Sequence, residues 1–499
     1  MATFGNKSTE PVIGSPMSSS SRQDPRTAKP GNSIWRDTLE DEFRQHLVNL
    51  EERTNAVPVE PQVFSVAAWQ SERGKIFKNH VLPLEMEHRL ADDFAFLAAV
   101  EEGAQSVAAA CVEEQPNGEG MTIRFAAMDA IHSKHQNALR GISRVLMDIA
   151  KSTNVKGGEH DSRPDLKGRI LRLHRHRIIA RLRSVKWPKP RYLSESHKKP
   201  LWKDFSNLIH RAQFLYTKRE GRAKFAIQIR LQKLALLYEG FEELESDAAL
   251  DIKYLSQIVE ESYYLCTSDG MKAYVHKLES VRATAQVASA VKCVRQIEKI
   301  ATYWRIPISL SRASEKYSSL FSSIDLQYLV PYVSIPTSTS YESWAKTCHV
   351  HAEVQLVVHY DLHQDHGRLR PRAIGTSKYM CFLCLLFIKA HGHFFPANTH
   401  GRLYDQWTIP DRVEYGPDHI ERYRRVIFEM DDEVVKLSQP EPRWQPEPMT
   451  SRQDLSQLPG ASLPWIGTGK PLKVIPFVPS ADEVNESAAV LPLEQRTLR

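Results

Sequence analysis

Cysteine is scarce: six in 499 residues, two of them in a single C-x-x-C. That excludes the disulfide framework of small secreted domains and fits reduced thiolates in the cytosol or nucleus. No 18 consecutive apolar residues occur, so neither a bilayer span nor a membrane partner is expected. The opening stretch MATFGNKSTEPVIGSPMSSSSRQDPR lacks the apolar core of a signal peptide. No internal repeat of fixed period is apparent. Excess charge is also modest, at +6, which permits an anionic partner without demanding one.

What is present is an ordinary globular composition, 41% hydrophobic and 25% charged, with length for two or three domains. Residues 1–33, rich in Ser, Pro, Gly and Lys, are expected to be disordered. So is the Pro-rich stretch 439–499, where Val474, Ile475, Phe477 and Val478 could at most add an edge strand. From 34 to 318 the pattern is helical. Phe94, Leu97, Val100, Ala104, Val107 and Cys111 recur at helical steps. Phe205–Leu244 reads as one or two helices with a break at Gly221. Lys272–Trp304 reads as one long helix with Leu278, Val281, Val287, Val291, Val294 and Ile297 as its stripe. Core packing of a helical domain explains such stripes before any function does.

The texture changes after Ser319. Leu326–Val333 suggests strands, His351–His359 a helix, Arg372–Thr376 a strand, Cys381–Lys389 a buried helix, His393–Phe395 a strand and Glu421–Leu437 a last helix. This succession predicts an α/β layer over 319–438, behind a mostly helical domain.

Chemistry concentrates in two short motifs. His351-Ala352-Glu353 precedes Cys381-Phe382-Leu383-Cys384 by about 30 residues. Cysteines at i and i+3 on the first turn of a helix turn both sulfurs to one side, where the helix dipole favours thiolate. A histidine completes three ligands and leaves Zn²⁺ one open position for water. His349 stands two residues away, so the spacing leaves the ligand as either histidine. Glu353 need not touch metal and could carry protons. An H-x-H pair also occurs in JAMM-type metalloproteases, but their downstream Ser and Asp would fall at His359 and Leu362.

The sequence resembles the OTT-type deaminase-like proteins, a branch of the nucleic-acid and nucleotide deaminase superfamily abundant in fungi. The likeness rests on His351–Leu356, on Ile374-Gly375-Thr376-Ser377-Lys378 leading into the C-x-x-C, and on His400-Gly401 with Tyr404, Trp407 and Pro410. The leader Asp92–Leu97 and His174 with Arg177-Ile178 also look like this group. Met380 departs from the superfamily's proline before the first cysteine, but not from the branch. The resemblance implies a cytidine-deaminase-like α/β/α domain with a central mixed sheet. It also implies zinc on His351, Cys381 and Cys384, with Glu353 as proton shuttle. The implied reaction removes an amino group hydrolytically from a cytosine- or adenine-like base, free or in a polymer. The alternative is an inactive, zinc-stabilised interaction or nucleic-acid-binding module, which has no need of Glu353.

Secondary candidates surround the motifs. Ser377 and Lys378 could touch substrate, or simply turn the loop and cap the helix. His400, Tyr404 and Trp407 could line a base pocket, although aromatics in a compact domain are more often core. Between 161 and 203 a basic run with Arg169, Arg172, Arg175, Arg177, Arg181, Arg183, Lys186 and Lys189 precedes Tyr192 and Trp202. Arg172, Arg175, Arg181 and Arg183 are candidate nucleic-acid contacts on its cationic face, against the commoner reading of a solvated helix.

Overall fold

Ala108–Glu114, with the sequence AAACVEE, determines how the chain is layered. The computed structural model describes residues 22–439 apart from 68, 70–78, 102, 104–105, 154–162, 189–198, 246, 283 and 364–366. Ala104, Lys189, Tyr192, the tails 1–21 and 440–499, and with them Val474, Ile475, Phe477 and Val478, lie outside the described residues. In chain order come α1 (Glu40–Thr54), β1 (Gln62–Val63), α2 (Leu84–Ala98), β2 (Ala108–Glu114) and β3 (Met121–Ala127). Seven helices follow: α3 (Ser133–Thr153), α4 (Arg163–Leu182), α5 (Phe205–Leu215), α6 (Gly221–Glu243), α7 (Ala248–Cys266), α8 (Asp269–Ser280) and α9 (Ala285–Lys316). Then come β4 (Ile324–Tyr328), β5 (Ile335–Pro336), β6 (Thr347–Val350), α10 (Ala352–Leu362), β7 (Gly375–Thr376) and α11 (Phe382–His391). β8 (Asn398–Thr399), β9 (Trp407–Thr408) and α12 (Pro417–Ser438) complete the order.

The helix expected to run through Cys111 ends at Ala98, and Ala108–Glu114 is a strand. The physical reason is burial on both faces, which makes a strand a continuous apolar run that periodicity cannot tell from a helix. Alternate residues serve different cores. Ala108, Ala110 and Val112 pack with Phe94, Ile123 and the helical layer, whereas Ala109 and Cys111 pack with Val354, Leu383 and Cys384. The sheet order is β4-β3-β2-β7, with β2 antiparallel to β3 and β7, and β3 parallel to β4. α2 packs on β2 and β7, while α10 packs on β2 and β3. The architecture is thus helical plus α/β with mixed sheets. Its principal sheet draws both long strands from the stretch read as helical, so it crosses the boundary expected at 318/319. Helices α3 to α9 lie, in sequence, between β3 and β4.

Two further expectations are corrected. Residues 22–33, expected to be disordered, are ordered because their backbone finds partners: Gln23 N–H donates to Pro331 O and Thr27 N–H to Asp411 O, each at 2.9 Å. Asp411 also accepts from Ser33 Oγ (2.6 Å) and Ile34 N (3.1 Å), with Ile34 wholly buried. The long helix expected over Lys272–Trp304 is broken between Ser280 and Ala285, where Thr284 Oγ1 accepts from Val287 N and starts a new helix. Val281, assigned to the buried stripe, is exposed. No described helix is long and apolar enough to cross a membrane.

Candidate metal centre

Two helix starts meet at the motifs. His351 is the extended N-cap residue of α10, delivered by β6, which runs parallel to β9 with His349 opposite Trp407. Cys381 is the N-cap of α11, and its Sγ accepts from Cys384 N–H at 3.4 Å, fixing both sulfurs on one side. His351 Nδ1 lies 3.6 Å from Cys381 Sγ and 3.5 Å from Cys384 Sγ. Zn–N and Zn–S bonds of about 2.0–2.1 and 2.3 Å at a tetrahedral angle would separate such atoms by about 3.5 Å. Donor types and spacing therefore fit zinc. His351 remains partly exposed, whereas Glu353, Cys381 and Cys384 are buried.

The electrostatics agree with that fit. Against a burial that would raise it, the Cys384 hydrogen bond and the His351 charge hold the Cys381 thiol well below its usual range. Burial and then Cys381 push the Cys384 thiol up. The indole N–H of Trp407 approaches Cys384 and favours its thiolate without a fully formed hydrogen bond. Glu353 is raised above the ordinary carboxylate range, chiefly by burial and despite His351. A carboxyl shifted that way suits proton transfer near neutrality. His349 is excluded from the ligand group: its Nε2 meets Thr347 Oγ1 at 3.2 Å, and burial, then His351, lower it to about 4.

Asp361, His391 and His393 also cluster closely enough for a cation. Asp361 is already taken by His391 Nε2 (2.8 Å), Arg370 Nη2 (2.8 Å) and Tyr423 OH (3.0 Å), with Arg422 at 3.5 Å. Two guanidiniums beside its one carboxylate make it a structural network rather than a metal site.

The secondary candidates separate. Ser377 is structural: its N–H donates to Ala108 O (2.9 Å) and its Oγ accepts from Ala108 N (3.1 Å), tying β7 to β2. Lys378 and His400 lie by the centre. Burial first, then Lys378 and Arg402, lower His400 to about 4 against the opposing charge of Cys381. His400 Nδ1 accepts from Arg402 N–H at 3.1 Å, which leaves Nε2 as the protonated nitrogen. Tyr404 is half-buried and edge-on to His400 at 5.9 Å. Trp407 is core, edge-on to Phe387 at 5.8 Å.

The four arginines form no single face. Arg175 joins Lys186 on the buried Asp251, Arg183 pairs with Asp204, and Arg172 lies 3.8 Å from Asp165. Arg181 turns inward over Phe96. Sequence reasoning assigned no role to Asp92, whose Oδ1 accepts Thr376 N–H at 2.8 Å and holds β7 in front of the cysteines.

Glu51 of α1 is buried beside Asp405 and Arg402. Burial, then Asp405, push its carboxyl from 4.5 to about 8. Between those values the folded chain holds a proton that the unfolded chain has released, so stability falls as pH rises through that window. Glu51→Gln is expected to flatten this loss, measured by urea unfolding at pH 5, 7 and 9. Parallel pH profiles for both proteins would remove Glu51 as the cause.

Over the stretch that carries both motifs the chain is similar to a deaminase-like family. Residues 350–411, which span both motifs, match the model of the OTT-type family described as "OTT_1508_deam: -like deaminase". No curated protein and no solved structure is matched by the chain.

Proposed function

We propose that the chain is a zinc-dependent deaminase that removes an exocyclic amino group from a cytosine- or adenine-like base by hydrolysis. The observation carrying this reading is His351 Nδ1 at 3.5–3.6 Å from two buried thiols, with the raised carboxyl of Glu353 on the same helix start. His351, Cys381 and Cys384 would hold zinc, which when bound would lower the pKa of water toward about 7.

The chain's own groups supply the rest. Glu353 takes one proton from the attacking water and delivers it to the ring nitrogen, where it stays; it then carries the second water proton from the hydroxyl of the tetrahedral carbon to the departing amine, which leaves as ammonia. The carbon that loses nitrogen keeps the water oxygen as a carbonyl. Burial raises the Glu353 carboxyl above the usual carboxylate range, a shift that suits a group acting as base and then as acid in one turnover. Neutral His400, whose Nδ1 accepts from Arg402 N–H, would orient substrate through Nε2–H.

The test is metal analysis of reduced full-length protein with a mass-spectrometric deamination screen over bases, nucleosides, nucleotides and single-stranded DNA and RNA. Zinc is expected with wild type and absent with Cys384→Ser, whose melting temperature should also fall. Zinc without deamination across the panel would favour the inactive interaction module, and absence of zinc would overturn both readings.

A further inference from the structure

Helix α6 is apolar on two opposite sides. Ile227, Leu231, Leu234, Tyr238 and Phe241 are buried in the helical layer, where α6 packs chiefly on α5, α7 and α8. The other side carries Phe225, Ile229 and Leu236, which are 64%, 45% and 59% exposed. At about 100° per residue these three fall within about 40° of one another, half a turn from the buried side. Gly240 continues the stripe, with nothing within 4 Å of where its Cβ would stand. Arg222 and Glu243, both exposed, close its two ends, about 32 Å apart along the helix.

Charge along α6 runs against the helix's own dipole. Lys218, Arg219, Arg222 and Lys224 gather at its N-terminal end, with no carboxylate in the first turn. Glu239, Glu243 and Glu245 gather at its C-terminal end, with no basic residue in the last turn. Anions favour helix N-termini and cations favour C-termini, so a single helix opposes this order. Glu220, just before the helix, is engaged by Thr217 N–H and by Lys277, each at 2.9 Å. Among the described residues, neither Arg222 nor Glu243 has an ion-pair partner. An identical helix laid antiparallel would reverse the cost, since each basic end would then meet an acidic C-terminus.

The side chains match in the same arrangement. A two-fold axis passing between Gln232 and Lys233, both exposed, sets Arg222 level with Glu243 of the other copy. The same axis sets Ile229 level with Leu236, and Phe225 level with Gly240, which adds no side chain of its own against the ring. Opposite charges, paired aliphatics and a bulky ring beside a glycine thus coincide in a single register. We propose that the occupant of this stripe is a second copy of the chain, docked α6 on antiparallel α6 as a two-fold dimer. One helix pair buries too little surface for an obligate dimer, so the association is reversible and concentration-dependent. The proposal is independent of the deaminase reading, because the helices on which α6 chiefly packs carry none of His351, Glu353, Cys381 or Cys384.

Sedimentation equilibrium of the reduced full chain from about 1 to 100 μM tests it. The wild-type mass should climb from 57.0 kDa towards twice that value. Leu236→Glu should stay monomeric throughout, with its melting temperature at the lowest concentration unchanged, because the side chain it replaces is exposed. Arg222→Glu and Glu243→Arg should each weaken dimerisation about tenfold or more, and the double exchange should restore it. A merely structural role for either residue would give no such rescue, and the exchange serves equally if Leu236→Glu fails to fold. A wild type that is monomeric across the range overturns the proposal and leaves the stripe to a different occupant. A dimer indifferent to Leu236→Glu is assembled through another surface, and one not rescued by the double exchange is not paired in this register. Either result overturns the proposal.

Discussion

Glu353→Gln is expected to keep its zinc and to lose about 10²–10⁴-fold in turnover on whichever substrate the wild type deaminates. The carboxamide preserves the shape of a residue that is 5% exposed, so the fold around it should hold. It cannot take and return a proton. Its buried surroundings leave no second carboxylate on that helix start to substitute, since α10 carries only Glu353 in its first turn. The measurement is zinc content by mass spectrometry beside turnover of both proteins. Wild-type turnover by the variant would exclude Glu353 as the shuttle. Loss of zinc together with activity would instead make it a support of the centre.

Gly375→Ala should be a severely damaging small substitution. A Cβ there would sit 2.1 Å from the backbone of both Ala91 and Asp92, and 2.6 Å from Ala91 Cβ. Backbone cannot rotate away as a side chain can, so β7 must leave α2 and surrender the Asp92–Thr376 hydrogen bond. Overpacking of this kind against main chain is expected to cost at least about 3 kcal/mol. Gly240, inside α6 with nothing near its missing Cβ, is the control, and Gly240→Ala should gain about 0.5–1 kcal/mol. Urea unfolding decides. Equal midpoints for the two variants would mean that the close approach of β7 to α2 is not needed.

The centre was legible because its chemistry is local. Glu353 lies two residues beyond His351 and Cys384 three beyond Cys381, so helix starts alone fix most of their directions. Choosing His351 over His349 needed more, since both leave β6 at alternate positions; the geometry separates them by placing Thr347 at His349. β2 was illegible for the opposite reason. Its side chains are buried on both faces, and an apolar run without alternation carries no period to read. The fate of the basic run was half legible. Arg177 and Arg181 stood out by type, but only tertiary packing on Phe96 separates the two inward arginines from Arg175 and Arg183, which answer Asp251 and Asp204.

The pairing of β2 with β7 joins Ala109 to Thr376, about 270 residues later in the chain. At synthesis rates of about 5–20 residues per second, the second partner emerges roughly 10–50 s after the first. The helical layer can cover one face of the β2–β3 hairpin while the ribosome is still working. The face bearing Ala109 and Cys111 must wait for α10, the helix that opens at His351 and carries Glu353. Completion of the sheet by β7 and of the centre by the cysteines are therefore both late events, and a chain released before residue 351 would expose a bare apolar sheet face.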